Sequence, residues 1–136
     1  MARYLLLAVV ALGLSAGAAG AQTKVDRGPM VNTPASDAGT MFTTYCAVCH
    51  GKEGKGDGPA AKALAKTPAD LTKLSARNNG QFPEIRVRRY IEGLDEVAAH
   101  GTRDMPMWGE LFRSLNRDTA QIRIQALAEY LKAMQK

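Results

Sequence analysis

Residues Cys46-Ala47-Val48-Cys49-His50 decide how the rest of the chain is read. A Cys-x-x-Cys-His run is the attachment signature of a c-type haem. Each cysteine sulfur adds to one vinyl group of the porphyrin, and the adjacent histidine reaches the iron at its centre. On a helix end, positions i, i+3 and i+4 share one face. The two cysteines then stand about 4.5 Å apart along the axis. Three other readings compete. A thioredoxin-like redox pair uses Cys-x-x-Cys within a βαβ pattern, which is not visible here. A structural zinc site takes about four ligands, whereas beyond this run the chain offers only His100 and no further cysteine. The third is a chance match.

Working outward, the first stretch, Met1 to Ala21, reads as a secretory signal. Arg3 gives a positive n-region, Tyr4 to Leu14 an apolar h-region, and Ala19-Gly20-Ala21 a cleavage site. The competing reading is an uncleaved membrane anchor, for which the dense apolar part is short. Arg3 is the signal's one charge, so the formal net charge of +5 falls to +4 on cleavage. That balance is too mild and too dispersed for nucleic-acid binding. At 136 residues the chain is one domain long, and only 6% of it is aromatic. A porphyrin is therefore expected to supply part of the core, and the chain without it to fold poorly.

Residues 22–35 carry Gly28, Pro29 and Pro34 without periodicity and read as a flexible, exposed lead-in. The folded domain is expected over 36–136. Its first helix begins near Ser36, with Asp37 in the first turn, and runs to the Cys-His motif. Met41, Phe42, Tyr45 and Cys49 form its apolar stripe, and Ala38 and Gly39 suggest a helix crossing closely. Gly51 to Pro59 is a turn-rich loop lacking the phosphate-binding glycine patterns. A short helix is expected over 60–66, then mostly loop to Asn79. Pro83 opens another helix, with Val87, Tyr90, Ile91 and Leu94 inward and Gly93 as its cap. The stretch from Val97 to Gly109 reads as irregular. A last helix comes after it, with Asp118 and Gln121 as a capping box and Ile124, Leu127, Leu131 and Met134 as its stripe. No strand-period run or repeat is visible, and the fold class is all-α.

His50 takes one axial position of the iron, and the other decides between a carrier and a reactive site. Met105, in a loop stiffened by Pro106, is the first candidate. Met107 is its nearest rival, followed by His100 and then an open position. Met41 and Met134 fit helix cores, and Met30 lies in the lead-in. Trp108 reads as packing for the haem pocket.

With these residues together, the chain resembles a class I monohaem cytochrome c. The likeness is carried by Phe42, Cys46-Ala47-Val48-Cys49-His50-Gly51, Gly54-Lys55-Gly56-Asp57-Gly58-Pro59, Tyr90-Ile91-Glu92-Gly93, Met105-Pro106-x-Trp108-Gly109 and Leu127-Ala128-Glu129-Tyr130-Leu131. It implies three to five helices around one haem c covalently held by Cys46 and Cys49, with N- and C-terminal helices crossing near Ala38, Gly39, Phe42 and Tyr130. It implies Met105 as distal ligand, and Pro59 as the carbonyl that orients the His50 ring. The stretch from Leu94 to Asp104 is longer than in the smallest members. Covalent haem attachment takes place outside the cytoplasm, in keeping with the signal. The expected function is periplasmic one-electron transfer without substrate chemistry, by a monomer when free.

Two other functions stay open: a haem subunit of a dehydrogenase or oxidase complex, and a five-coordinate gas-binding or peroxidatic cytochrome. Partners are expected to be redox proteins, including a membrane respiratory complex. Lys52, Lys55, Lys62, Arg86, Arg88 and Arg89 are singly ordinary solvated charges, and together a basic rim for an acidic face.

Overall fold

The computed structural model describes residues 30–95 and 105–136. The signal segment, most of the lead-in and His100 lie outside them. Five α-helical segments are found among the described residues, with no strand: α1 (Ala38–Met41), α2 (Ala47–His50), α3 (Glu84–Glu92), α4 (Trp108–Leu115) and α5 (Ala120–Ala133). A π-helical turn, Phe42–Cys46, joins α1 to α2 in one continuous rod.

The rod starts at Asp37 rather than Ser36. The Asp37 carboxylate accepts from the Thr40 amide at 2.9 Å and its hydroxyl at 2.7 Å, satisfying the helix's early donors. These bonds hold the carboxyl below its usual range. Met41, Phe42 and Tyr45 are buried as expected. The π turn closes with the Ala47 amide on the Phe42 carbonyl. Such a turn holds one residue more than an α turn, and Ala47 is buried while Val48 is 48% exposed.

α5 is the hub, in contact with α1, α3 and α4. Phe42 meets Tyr130 with ring centroids 5.4 Å apart where the first and last helices cross. Ile124, Leu127, Ala128 and Leu131 fill the centre. On α3, Val87 and Ile91 face inward while Leu94, beyond the helix, is exposed. Gly93, at φ 84°, ends α3 with its amide on the Arg89 and Tyr90 carbonyls. α4 begins inside the stretch expected to be irregular, at Trp108. Its Trp108, Leu111, Phe112 and Leu115 carry helical spacing, and Phe112 is fully buried.

Further expectations change. The helix over 60–66 is only a 3-10 turn, Ala61–Ala63, and the next stretch holds two more, Leu71–Lys73 and Ala76–Asn78. The Asp118–Gln121 capping box does not form. Asn116 Oδ1 takes the Asp118 and Thr119 amides at 2.9 and 3.2 Å, and Gln121 instead reaches Glu92 at 2.9 Å.

The described end of the lead-in is also docked, not loose. Tyr45 Oη donates to the Val31 carbonyl at 2.5 Å. Arg123, 4% exposed, donates to the Thr33 carbonyl at 2.7 Å and to Thr33 Oγ1 and Asn32 Oδ1, each at 3.1 Å. A guanidinium cannot shed its proton, so once buried it must find acceptors. Residues 32 and 33 supply them for Nη1 and Nη2, while the buried Nε has no hydrogen-bond partner among the described residues.

Small residues at the helix crossing turn out not to be equally required. A Cβ on Gly39 would meet Tyr130 at 3.8 Å, an ordinary contact. Gly39→Ala is therefore expected to raise stability by about 0.5–1 kcal/mol through helix propensity. Phe42→Ala, at the same crossing, should cost about 3–5 kcal/mol. Equilibrium urea unfolding of both variants checks the pair.

Candidate haem-attachment site

The end of α2 is built by the glycine loop after it. A helix leaves its last carbonyls without partners. Here the chain turns back, and the Ala60, Gly58 and Gly56 amides donate in order to the carbonyls of Val48, Cys49 and His50, at 2.9, 3.1 and 2.8 Å. The approach is close enough to demand glycine. A Cβ on Gly58 would lie 2.5 Å from the Val48 oxygen and 2.6 Å from that of Ala47. Cys49 and His50 thus sit on a helix end with every one of these carbonyls engaged.

Cys46, Cys49 and His50 are each half-buried, and the two cysteines are free thiols. Burial pushes the Cys46 thiol up to about 12, with Cys49 close enough to add to the shift. A thiol in that state is a poor nucleophile, the reverse of a thioredoxin-like pair. Among the described residues no group of three or more His, Cys, Asp or Glu is placed to hold a metal ion, so a zinc site finds no support there.

His50 Nδ1 lies 3.0 Å from the carbonyl of Ala69. A carbonyl only accepts, so Nδ1 carries the proton and Nε2 keeps its lone pair. Burial lowers the pKa of this imidazole from its ordinary value of 6.5, with the Ala69 bond opposing the shift. The neutral ring is the form that binds iron. Two thiols three residues apart and an imidazole held at Nδ1 by the Ala69 carbonyl form the donor set that a covalently attached haem requires.

The carbonyl expected here was Pro59's, and that assignment is corrected. The amides on either side of Pro59 are fastened to Cys49 and Val48, which places the proline beside the preceding turn. Residues 69–71 come to His50 instead because the Leu71 amide donates to the Gly54 carbonyl at 2.7 Å. Asp70 steadies that return by accepting from the Thr72 amide and hydroxyl at 2.9 and 2.6 Å. The Asp70-x-Thr72 spacing was the available sign of an ordered turn.

Trp108 opens α4 and lies 5.4 Å from the Tyr45 ring and 6.0 Å from that of Phe112. It therefore packs on the rod at Tyr45, the residue that precedes the first cysteine in the chain. Met105 is 36% exposed. Met107 lies against the end of α3, where a Cβ on Gly93 would come within 2.7 Å of its Cγ. Met41 is fully buried with its sulfur 3.6 Å from Arg123 Nη1, and Met30 packs on the core instead of hanging free.

A family model described as Cytochrome c matches residues 35–135. No curated protein and no solved structure matches the chain.

The loop geometry is open to a direct check. Gly56 has φ 84°, and a Cβ there would lie 2.3 Å from the Pro68 oxygen, one residue before the carbonyl that faces His50. Gly80 shares the left-handed backbone at φ 81° but meets nothing within 4 Å. Gly80→Ala should cost only the backbone term, about 1–2 kcal/mol. Gly56→Ala should cost several-fold more and disturb the His50 imidazole resonance, as read by urea unfolding and nitrogen NMR.

Proposed function

The chain belongs to the cytochrome c family, and on that premise we propose that it is an exported one-electron carrier with His50 and Met105 as axial ligands. Membership implies haem-based electron transfer. A bound haem supplies a reversible one-electron couple at the iron. The observation that carries the reading is the His50 ring, neutral, held at Nδ1 by Ala69 and presented by the same helix end as both cysteines. In the proposal, Cys46 and Cys49 hold the porphyrin covalently, His50 gives the proximal nitrogen, and Trp108 shields the pocket.

Met105 is preferred as distal ligand because the other described methionines are engaged elsewhere. Met41 is buried against Arg123, Met107 lies on Gly93, and Met134 reaches within 3.1 Å of a Cβ position on Gly54. A thioether in the second axial position raises the reduction potential and leaves no vacant site for substrate. The protein then has no substrate chemistry of its own. Export to the periplasm rests on Arg3, the apolar run to Leu14 and Ala19-Gly20-Ala21. No described helix is long and apolar enough to cross a membrane.

Partners in this reading are redox proteins with acidic faces. The rim is thinner than the sequence suggests, since Lys55 pairs with Glu53 at 2.5 Å and Arg89 with Asp95 at 2.7 Å. Lys52 and Lys62 are exposed and have no ion-pair partner among the described residues. Exposed single charges steer encounter more than they add affinity.

Met105→Ala is expected to keep the covalent haem and lose the thioether-to-iron band of the oxidised protein, while binding carbon monoxide rapidly when reduced. Met107→Ala should leave the optical spectrum unchanged. Retention of the band in the first variant, or its loss in the second, would reverse the ligand assignment.

A further inference from the structure

We propose that Gln135, next to last in the chain, is a positioning residue for His50, an inference that rests on His50 being an iron ligand as proposed above. The Gln135 side chain lies just beyond α5 and uses both ends of its amide. Nε2 donates to the Leu71 carbonyl at 2.8 Å and to the Leu131 carbonyl at 2.6 Å, while Oε1 accepts from the Ser75 amide at 2.9 Å. The Lys136 amide adds a bond to the Thr72 carbonyl at 3.1 Å. The end of α5 is thereby fastened to residues 71–75.

That segment is stiff. Asp70 accepts from the amide and hydroxyl of Thr72, Arg77 donates to the Asp70 carbonyl, and the Leu71 amide is fixed on Gly54. Ala69, two residues before Leu71, is itself exposed. Its backbone lies against Gly56, where a Cβ would come within 3.5 Å of the Ala69 carbonyl carbon, and the tethered segment beyond it holds that carbonyl toward His50. A carbonyl accepting from Nδ1 makes the imidazole more basic and fixes its plane. Gln135 acts on His50 through Leu71 and Ala69, across a sequence separation of 85 residues that the fold closes. An amide is needed because one group must donate to a carbonyl and accept from an amide at once.

The test uses the full haem-loaded protein and two variants. Gln135→Met keeps length and bulk but makes neither bond, and Gln135→Glu keeps an acceptor for Ser75 while losing the donor to Leu71. The readouts are exchange of the His50 Nδ1 proton in the reduced protein and the reduction potential. In Gln135→Met the proton should exchange at least tenfold faster and the potential should rise, because a less basic imidazole stabilises the oxidised iron less. Gln135→Glu should fall between that variant and the parent. Lys132→Ala removes the ion pair of the same helical turn with Glu84 without loosening the backbone or touching either bond, and should move neither readout.

Faster exchange at the Ser75 amide of Gln135→Met, with the Nδ1 proton and the potential unchanged, would overturn the proposal and leave Gln135 a structural tie. So would equal shifts in Lys132→Ala. A parent chain that takes up no haem would overturn both this inference and the carrier reading.

Discussion

Three hydrogen bonds from the glycine loop to the last carbonyls of α2 are the constraint on which the site depends. A helix end that carries two cysteines and a histidine needs its side chains on one side and its main chain satisfied on the other. The amides of Gly56, Gly58 and Ala60 do the second job, leaving the first to Cys46, Cys49 and His50. Closing the loop this way also fixes the path of residues 69–71, since Leu71 then bonds to Gly54 and Ala69 arrives at His50. Local backbone closure comes first in this hierarchy, and the orientation of the His50 ring results from it.

A second constraint is the buried charge of Arg123. Its neutral acceptors come from residues 32 and 33, and its plane lies over Phe112, with 5.9 Å from Cζ to the ring centroid. The arrangement ties the N-terminal strap, the rod, α4 and α5 into one polar-and-aromatic joint, with Tyr45 bonded to the same strap. The two ends of the described chain are thus both fastened, the first by Arg123 and Tyr45, the last by Gln135. Arg123 and Gln135 sit on α5 or just beyond it, the helix that contacts α1, α3 and α4, while Tyr45 sits on the rod.

Much of this is legible in the sequence where one residue carries the signal alone. Cys46, Cys49 and His50 are read from spacing, the end of α3 from Gly93, and the crossing of first and last helices at Phe42 and Tyr130 from the family resemblance. What escapes the sequence depends on two segments meeting. The carbonyl facing His50 belongs to Ala69 because a backbone bond at Gly54 brings it there, and an alanine has no side chain to announce such a role. Pro59 looks suited to it by position, yet its flanking amides are taken by the helix end. Arg123 carries no sign of its role, since nothing local distinguishes a buried arginine from an exposed one. α4 goes unread in the sequence although Trp108, Leu111, Phe112 and Leu115 keep helical spacing, because it starts inside a stretch read as irregular.

The most direct measurement is the intact mass of the chain, exported in cells able to attach haem and then denatured in acid. If Cys46 and Cys49 hold the cofactor beside His50, one haem stays on the denatured chain, neither thiol reacts with an alkylating reagent, and replacing both cysteines by alanine removes the added mass. An unmodified chain with two reactive thiols would contradict the site described here.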